Sequence, residues 1–236
     1  MNKWNKIWNS KGLPNDKYLN LQGLITANGF DTGVGSYDEQ KWRKLVLDFY
    51  KRNSLTEKSN ILEIGCGSGA FIYALNEIIS SNYYGLDYSS NLIKIARLAV
   101  PNGKFKQAEA SSNIFNDIEF DIVFSHSVFQ YFSSIDYAYD VIEKWVKKIK
   151  SGGTFALLDL NDADKEANYH NERMQSYINP EEYYQSYEGL NHLFFNIEDL
   201  KHFLRSCNMK NIEIFPHAVQ EYGNAKFRFN ISCKKI

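Results

Sequence analysis

The sequence predicts an α/β protein built on a doubly wound, mostly parallel sheet. Two observations carry this. Short apolar runs alternate with amphipathic helical segments from Asn60 to Leu160, and the first run passes through a glycine-rich turn directly into a helix. An acidic residue, Asp87, closes the second run, where such sheets place ligand contacts.

The elements follow in order. From Asp38 to Asn53, Trp42, Leu45, Val46, Phe49 and Tyr50 recur at helical spacing. Asn60 to Ile64 reads as a strand, Ala70 to Ile79 as a helix, and Asn82 to Leu86 as the next strand, which completes a βαβ unit. A helix from Asn91 to Val100 is stopped by Pro101, and strands follow over Phe105 to Ala108 and Phe120 to Ser125. A helix over Asp136 to Ile149 leads to a strand over Thr154 to Leu160. Next comes a polar stretch, Asn161 to Asn191, with Tyr169, Tyr177, Tyr183, Tyr184 and Tyr187. It is too long for an ordinary connection and reads as an insertion over the site, at about 161–195. Asn196 and Asp199 resemble a capping box opening a helix over Ile197 to Ser206. The extended runs Ile212 to Val219 and Lys226 to Ser232 are expected to pair as a hairpin at one sheet edge.

At 236 residues the chain suits one domain with an appendage, divided as residues 1–37 and 38–236. Twenty-seven Lys and Arg against 28 Asp and Glu leave no basic field for a phosphate backbone, so nucleic acid is not an expected partner. Cys66, Cys207 and Cys233 form neither a disulfide framework nor a metal-ligand spacing, which fits a reducing cytoplasm and no bound metal. No apolar stretch reaches the roughly 18 residues a membrane span needs, so no membrane association is expected.

The strongest motif is Glu63-Ile64-Gly65-Cys66-Gly67-Ser68-Gly69-Ala70, lying between strand and helix. Its glycines let a ligand approach the backbone, and the helix start offers unpaired N–H groups. With Asp87 placed to accept the hydroxyl protons of a ribose, the pattern points to an adenosine-type cofactor. Gly65, Gly67 and Ala70 also satisfy the relaxed dinucleotide fingerprint, so a nicotinamide oxidoreductase is a competing reading. Glu63 separates the two: a carboxylate is a poor neighbour for a pyrophosphate and a suitable one for the cationic methionine end of S-adenosylmethionine.

On these residues the chain resembles the class I S-adenosylmethionine-dependent methyltransferases, over about Asn60 to Leu160. Glu63, Gly65, Gly67 and Gly69 match the family's first motif and Asp87 its ribose-binding acid. Ala108-Glu109-Ala110-Ser111 sits where the family brackets the adenine. Phe120 to His126 looks like the fourth-strand motif, and Ile149 to Gly153 like the turn before strand five, with Ser151 in place of Pro. The resemblance implies a Rossmann-like, seven-stranded sheet with helices on both faces and an antiparallel last strand. It also implies cofactor contacts from Cys66, Tyr88, Glu109, Ala110 and Ser125 in addition to the motif residues. Asp121 reads as structural.

Methyl transfer from a sulfonium mainly requires alignment and exclusion of water, and a hydroxyl acceptor also needs a base. His126, at the carboxyl end of strand four, is the candidate, with His170 and His192 as rivals; His202 and His217 read as ordinary residues. The glycines of Gly29 to Tyr37 suggest a loop able to close over the cofactor, with Tyr37 as a clamp on the methionine end. The bland alternative is a helix that simply buries Trp4 and Trp8. The expected acceptor is a small molecule offering an oxygen, such as a sugar, phosphate-type or natural-product precursor. An amine acceptor and a non-catalytic binding module are the alternatives. The resemblance extends to bacterial surface-polysaccharide enzymes. Base methylation of nucleic acid is disfavoured because Ser125-His126-Ser127-Val128 stands where such enzymes carry an Asn- or Asp-Pro-Pro-Tyr motif.

Overall fold

The computed structural model describes residues 3–12, 19–31 and 35–236. Tyr18 and Thr32 to Val34 therefore lie outside the described residues, and with them the middle of the expected glycine loop. Among the described residues the sheet has seven strands in the order β3-β2-β1-β4-β5-β7-β6. They are β1 (Asn60–Ile64), β2 (Asn82–Asp87), β3 (Lys104–Gln107), β4 (Phe120–His126), β5 (Ile149–Asn161), β6 (Met209–Phe215) and β7 (Arg228–Lys235). The β1–β2, β1–β4, β2–β3 and β4–β5 pairs are parallel, and β7 runs antiparallel to both β5 and β6. The predicted hairpin forms at the β5 side of the sheet, with β7 inserted between β5 and β6.

Strand alternation makes the two-sided core. Ile61, Ile122, Phe124, Ala156 and Leu158 face helices α2 (Leu21–Ala27), α3 (Glu39–Arg52), α4 (Ala70–Asn76) and α5 (Ser90–Ala99). Leu62, Ile64, Val123, Phe155 and Leu157 point the other way, toward α6 (Ile135–Val146) and α9 (Ile197–Ser206). Side-chain caps start the helices: Asp38 accepts from Lys41 N–H, Ser134 from Tyr137 N–H, and Asn196 from both Glu198 and Asp199 N–H, as its spacing predicts. Asp121 is structural: its carboxylate accepts from Asn60 N–H at 2.7 Å and from Lys150 Nζ at 2.8 Å, tying β4 to the starts of β1 and β5.

Several boundaries differ from the sequence reading: α4 ends at Asn76, β6 is Met209–Phe215 and β7 is Arg228–Lys235. Helix α6 ends at Val146 rather than Ile149, and β5 begins at Ile149 rather than Thr154, because Ile149 pairs with Phe120 ahead of a register shift. The stretch after β5 is helical, with α7 (Glu166–Met174) and α8 (Pro180–Ser186). The N-terminal segment supplies α1 (Lys3–Ser10) and α2. Among the described residues no helix is long and apolar enough to cross a membrane.

Candidate active site

At the carboxyl ends of β1, β2 and β4 lies a cavity of about 370 Å³, within the size range of small-molecule sites. The glycine turn forms one wall. Gly65, Gly67 and Gly69 all have positive φ, at 71°, 53° and 80°. A Cβ on Gly65 would lie 2.5 Å from Val128 Cγ2, and one on Gly67 would strike Asn28 Oδ1. Gly65 and Gly67 therefore line the cavity with bare backbone, and Val128 and Asn28 leave no room there for a Cβ.

Two carboxylates line the same wall. Asp87 accepts from Gly67 N–H at 3.0 Å and Ser89 N–H at 2.8 Å, so it organises the turn as well as facing the cavity. Burial pushes its pKa up to about 6. Glu63 is 3% exposed and its Oε2 has no hydrogen-bond partner. Burial, then the nearby charge of Asp87, holds its carboxyl well above the usual range. An orphaned buried carboxylate aimed at a cavity is one that a cationic ligand would satisfy.

Beyond Asp87, the segment Ala108 to Ser111 completes the lining, with Glu109 exposed at the rim. Helix α6 holds it: Trp145 Nε1 donates to Ala110 O at 2.7 Å and Tyr137 OH to Ser111 Oγ at 3.2 Å.

His126 closes the inner end. Its ring lies among Phe30, Trp42 and Phe71, with centroids 5.7, 5.3 and 5.7 Å away. Burial in that aromatic box drives its pKa down to about 4, and its Nε2 has no partner. The backbone turns sharply at Ser127, at φ +56°, and Gln130 Nε2 braces that turn by donating to Ser127 Oγ at 2.8 Å. This brings Val128 onto Gly65 and Tyr131 onto the cavity wall.

Glu63, Gly65, Gly67, Asp87, Tyr88, Glu109, Ala110 and His126 thus share one lining. Four sequence-predicted site residues, Cys66, Gly69, Ser125 and Tyr37, are not among the residues that line the cavity. Cys66 turns inward and is 1% exposed, packed beside Gly85. Gly69 starts α4 beneath the turn, and Ser125 Oγ donates to Ile64 O at 2.8 Å, bracing β4 against β1. Tyr37 is buried at 3% exposure, its OH 2.9 Å from His217 Nε2 and its ring stacked on Tyr222. His217 is therefore no bland strand residue but part of a buried polar cluster, whereas His202 is exposed on α9.

The N-terminal segment contributes more than the sequence shows. Helix α1 covers the cavity with Trp4 and Trp8, both edge-on to Tyr131 at 4.7 and 5.2 Å. It docks on the start of α5, where Tyr88 OH donates to Trp4 O and Asn91 Nδ2 to Asn9 O. The insertion grips its other side, with Lys3 Nζ donating to Glu188 O, Trp4 Nε1 to Asn191 O, and His192 stacked on Trp4. No residue of 161–195 lines the cavity; the insertion meets it through α1. Asn28, at the end of α2, accepts from Ser68 N–H at 2.7 Å and is a lining residue that no sequence motif marks.

Residues 62–157 match the family described as "Methyltransferase domain". The chain is 26% identical over 211 residues to a phosphoethanolamine N-methyltransferase of Plasmodium falciparum, covering 88% of this chain and 70% of that protein. The chain is a class I S-adenosylmethionine-dependent methyltransferase. This methyltransferase is also 30% identical over 185 residues to malonyl-[acyl-carrier protein] O-methyltransferase 2 of Ilyobacter polytropus, across 73% of this chain and 64% of that protein. Its fold is shared with magnesium protoporphyrin IX methyltransferase of Synechocystis PCC 6803, solved with bound S-adenosylhomocysteine. That match has a TM-score of 0.61 at 12% identity and covers 99% and 92% of the two chains. The cofactor is S-adenosylmethionine, and the bare glycine turn and orphaned Glu63 carboxylate fit it.

Proposed function

We propose that this methyltransferase transfers the methyl group to an oxygen of a small molecule, such as a sugar, phosphate-type or natural-product precursor. The observation that carries the reading is His126: its Nε2 is buried at the cavity wall, has no hydrogen-bond partner, and is held neutral by a pKa of about 4. A neutral, unengaged imidazole nitrogen is free to accept a hydroxyl proton.

S-adenosylmethionine supplies a methyl group already activated on a sulfonium. The protein's part is to bind, orient and keep water out. In this reading Asp87 takes the ribose hydroxyls, the bare backbone at Gly65 and Gly67 lies against the methionine end, and Glu63 faces its positive charge. Glu109 and Ala110 flank the adenine, and Tyr88 supports α1, which with Trp4 and Trp8 closes the cavity as a lid. Three free cysteines fit a reducing, cytoplasmic setting.

One feature favours a second reading: a base with a pKa of about 4 is weak, which suits an amine acceptor that brings its own lone pair. The test is formation of S-adenosylhomocysteine with matched hydroxyl and amine acceptors in wild type and His126→Ala. Loss of turnover by about 10²- to 10⁴-fold with hydroxyl acceptors alone supports oxygen transfer. Turnover that persists in the variant, with amines preferred, overturns it.

A further inference from the structure

Beyond the His126 and Tyr131 wall lies a buried polar cluster whose residues are outside the cavity lining. Asp159 sits where β5 loses register with β7, between Leu157 and Leu160, at φ +62° and 0% exposure. Bulges and positive-φ backbone at non-glycine residues are features that persist where they re-aim a functional side chain. Neither carboxylate oxygen of Asp159 has a hydrogen-bond partner.

Arg228, at the start of β7, is 5% exposed. Its Nη1 reaches the backbone oxygen of Asp159 at 3.4 Å, but its Nε stays 3.7 Å from Asp159 Oδ1, beyond hydrogen-bond length, and has no other partner. Arg173 of α7 places its two Nη groups on Tyr187 OH and Asn224 Oδ1, leaving a buried Nε without one. Buried polar atoms are almost always paired, so four orphans on three charged residues mark a place where something else binds. Side-chain contacts join the cluster to the cavity: Tyr131, a lining residue, packs edge-on to His192 at 5.3 Å, His192 Nδ1 lies 3.0 Å from Tyr169 OH, and Arg173 stands over the Tyr169 ring at 4.3 Å. His126 and Tyr131 both feel the charges of Asp159 and Arg228.

The charges specify the occupant. The three side chains carry two positive charges and one negative, a formal excess of one positive charge, and Tyr131 senses all three. Burial lowers the pKa values of His126, His192 and His217, so none adds to that excess near neutral pH. The same burial raises the phenols of Tyr37, Tyr169 and Tyr222, so none offsets it. A bound oxyanion would balance the arginines, whose forked donors suit carboxylate or phosphate oxygens, while Asp159 can only accept from a hydroxyl or an ammonium.

We propose that Asp159, Arg228 and Arg173 form the polar anchor of the methyl acceptor, a small molecule carrying an oxyanion beside a hydroxyl or amine. The proposal rests on the reading of the adjoining cavity as the cofactor site, and its test separates the two. Protein saturated with S-adenosylhomocysteine is titrated by calorimetry with glycerol 3-phosphate, phosphoethanolamine and glycerate, and with glycerol and inorganic phosphate as single-feature controls. At least one of the first three binds tenfold or more tightly than both controls, and the comparison among them distinguishes phosphate from carboxylate. Asp159→Asn, which keeps the shape and tolerates positive φ, and Arg228→Gln each weaken that binding at least tenfold with S-adenosylhomocysteine affinity unchanged. Arg173→Gln, at a partly exposed site, takes the place of Arg228→Gln if that variant does not fold.

Equal, weak binding of all five probes overturns the anchor, as does unchanged binding in the variants. Tighter oxyanion binding in Asp159→Asn also overturns it, by reducing Asp159 to a counter-ion. Protein that fails to bind S-adenosylhomocysteine at all refutes the cofactor reading instead.

Discussion

Gly67→Ala tests whether the glycine turn is shaped for a ligand or merely for compactness. Gly67 sits at φ +53°, its N–H donating to Asp87, and a Cβ there meets Asn28 Oδ1, Cγ and Nδ2 together. Asn28 cannot simply rotate away, because the same Oδ1 accepts Ser68 N–H at 2.7 Å. The left-handed backbone costs an alanine about 1 to 2 kcal/mol. Displacing the Asn28 amide costs roughly another 1 kcal/mol for the lost hydrogen bond. The total is about 2 to 3 kcal/mol, read as a fall in unfolding free energy by urea titration. Gly152 is the internal control: its φ is +77°, nothing lies within 4 Å of its would-be Cβ, and it stands near the start of β5, away from the cavity at the strands' carboxyl ends. Gly152→Ala should lose only the backbone cost and keep full affinity for S-adenosylhomocysteine. Gly67→Ala should weaken that affinity at least tenfold, about 1.4 kcal/mol. Equal stability losses in the two variants, with equal cofactor affinity, would refute the steric argument.

Three further outcomes are expected. Asp87→Ala should weaken S-adenosylhomocysteine binding by about 1 to 3 kcal/mol in calorimetry, and should lower the melting temperature because Gly67 and Ser89 N–H lose their acceptor. Burial and Asp87 raise the pKa of Glu63, and a cation brought beside it lowers that pKa again, so S-adenosylmethionine binding should release protons. The apparent binding enthalpy should then differ between phosphate and Tris at one pH, and Glu63→Gln should abolish the difference. For His126 the folded pKa, about 4, lies below the ordinary 6.5, so only the unfolded chain binds the proton between these values and stability rises with pH across that window. The loss on acidification amounts to about 3 kcal/mol, and His126→Gln should flatten this part of the urea-derived profile.

The parts of the molecule legible in the sequence are those built by neighbours along the chain. Strand β1, the glycine turn, α4 and β2 with Asp87 span fewer than thirty positions, and Gly67 meets Asp87 across twenty of them. Alternation and helical spacing report such units directly. Helix α1 was readable as two tryptophans and no more, because what places it is Trp4 reaching Asn191 and Lys3 reaching Glu188, contacts that leave no local pattern. The surroundings of Tyr37 were hidden for the same reason. A tyrosine after a glycine loop resembles a clamp until His217 and Tyr222, at least 180 positions away, are folded around it.

The same division runs through the site. The half proposed for the cofactor rests on β1, β2 and β3, where on that reading the backbone itself does much of the binding and the sequence must therefore show glycines and a strand-end acid. The half assigned to the acceptor rests on β4, β5 and β7. There two residues other than glycine, Ser127 and Asp159, take positive φ at φ +56° and +62°. Strain of that kind is carried by surroundings rather than by residue type: Gln130 braces Ser127, and Asn230 Oδ1 holds Asp159 N–H at 2.7 Å. A strand-end Asp in β5 and an Arg opening β7 look like ordinary surface charges in sequence. Only the antiparallel insertion of β7 beside β5 brings them within 4 Å of each other, buried. On the proposed assignment, acceptor choice varies through β7, α7 and the loops that hold them while the glycine turn and Asp87 stay the same. This is why the methyl donor was evident from residues 63–87 and the acceptor had to be sought in the three-dimensional arrangement of residues 159, 173 and 228.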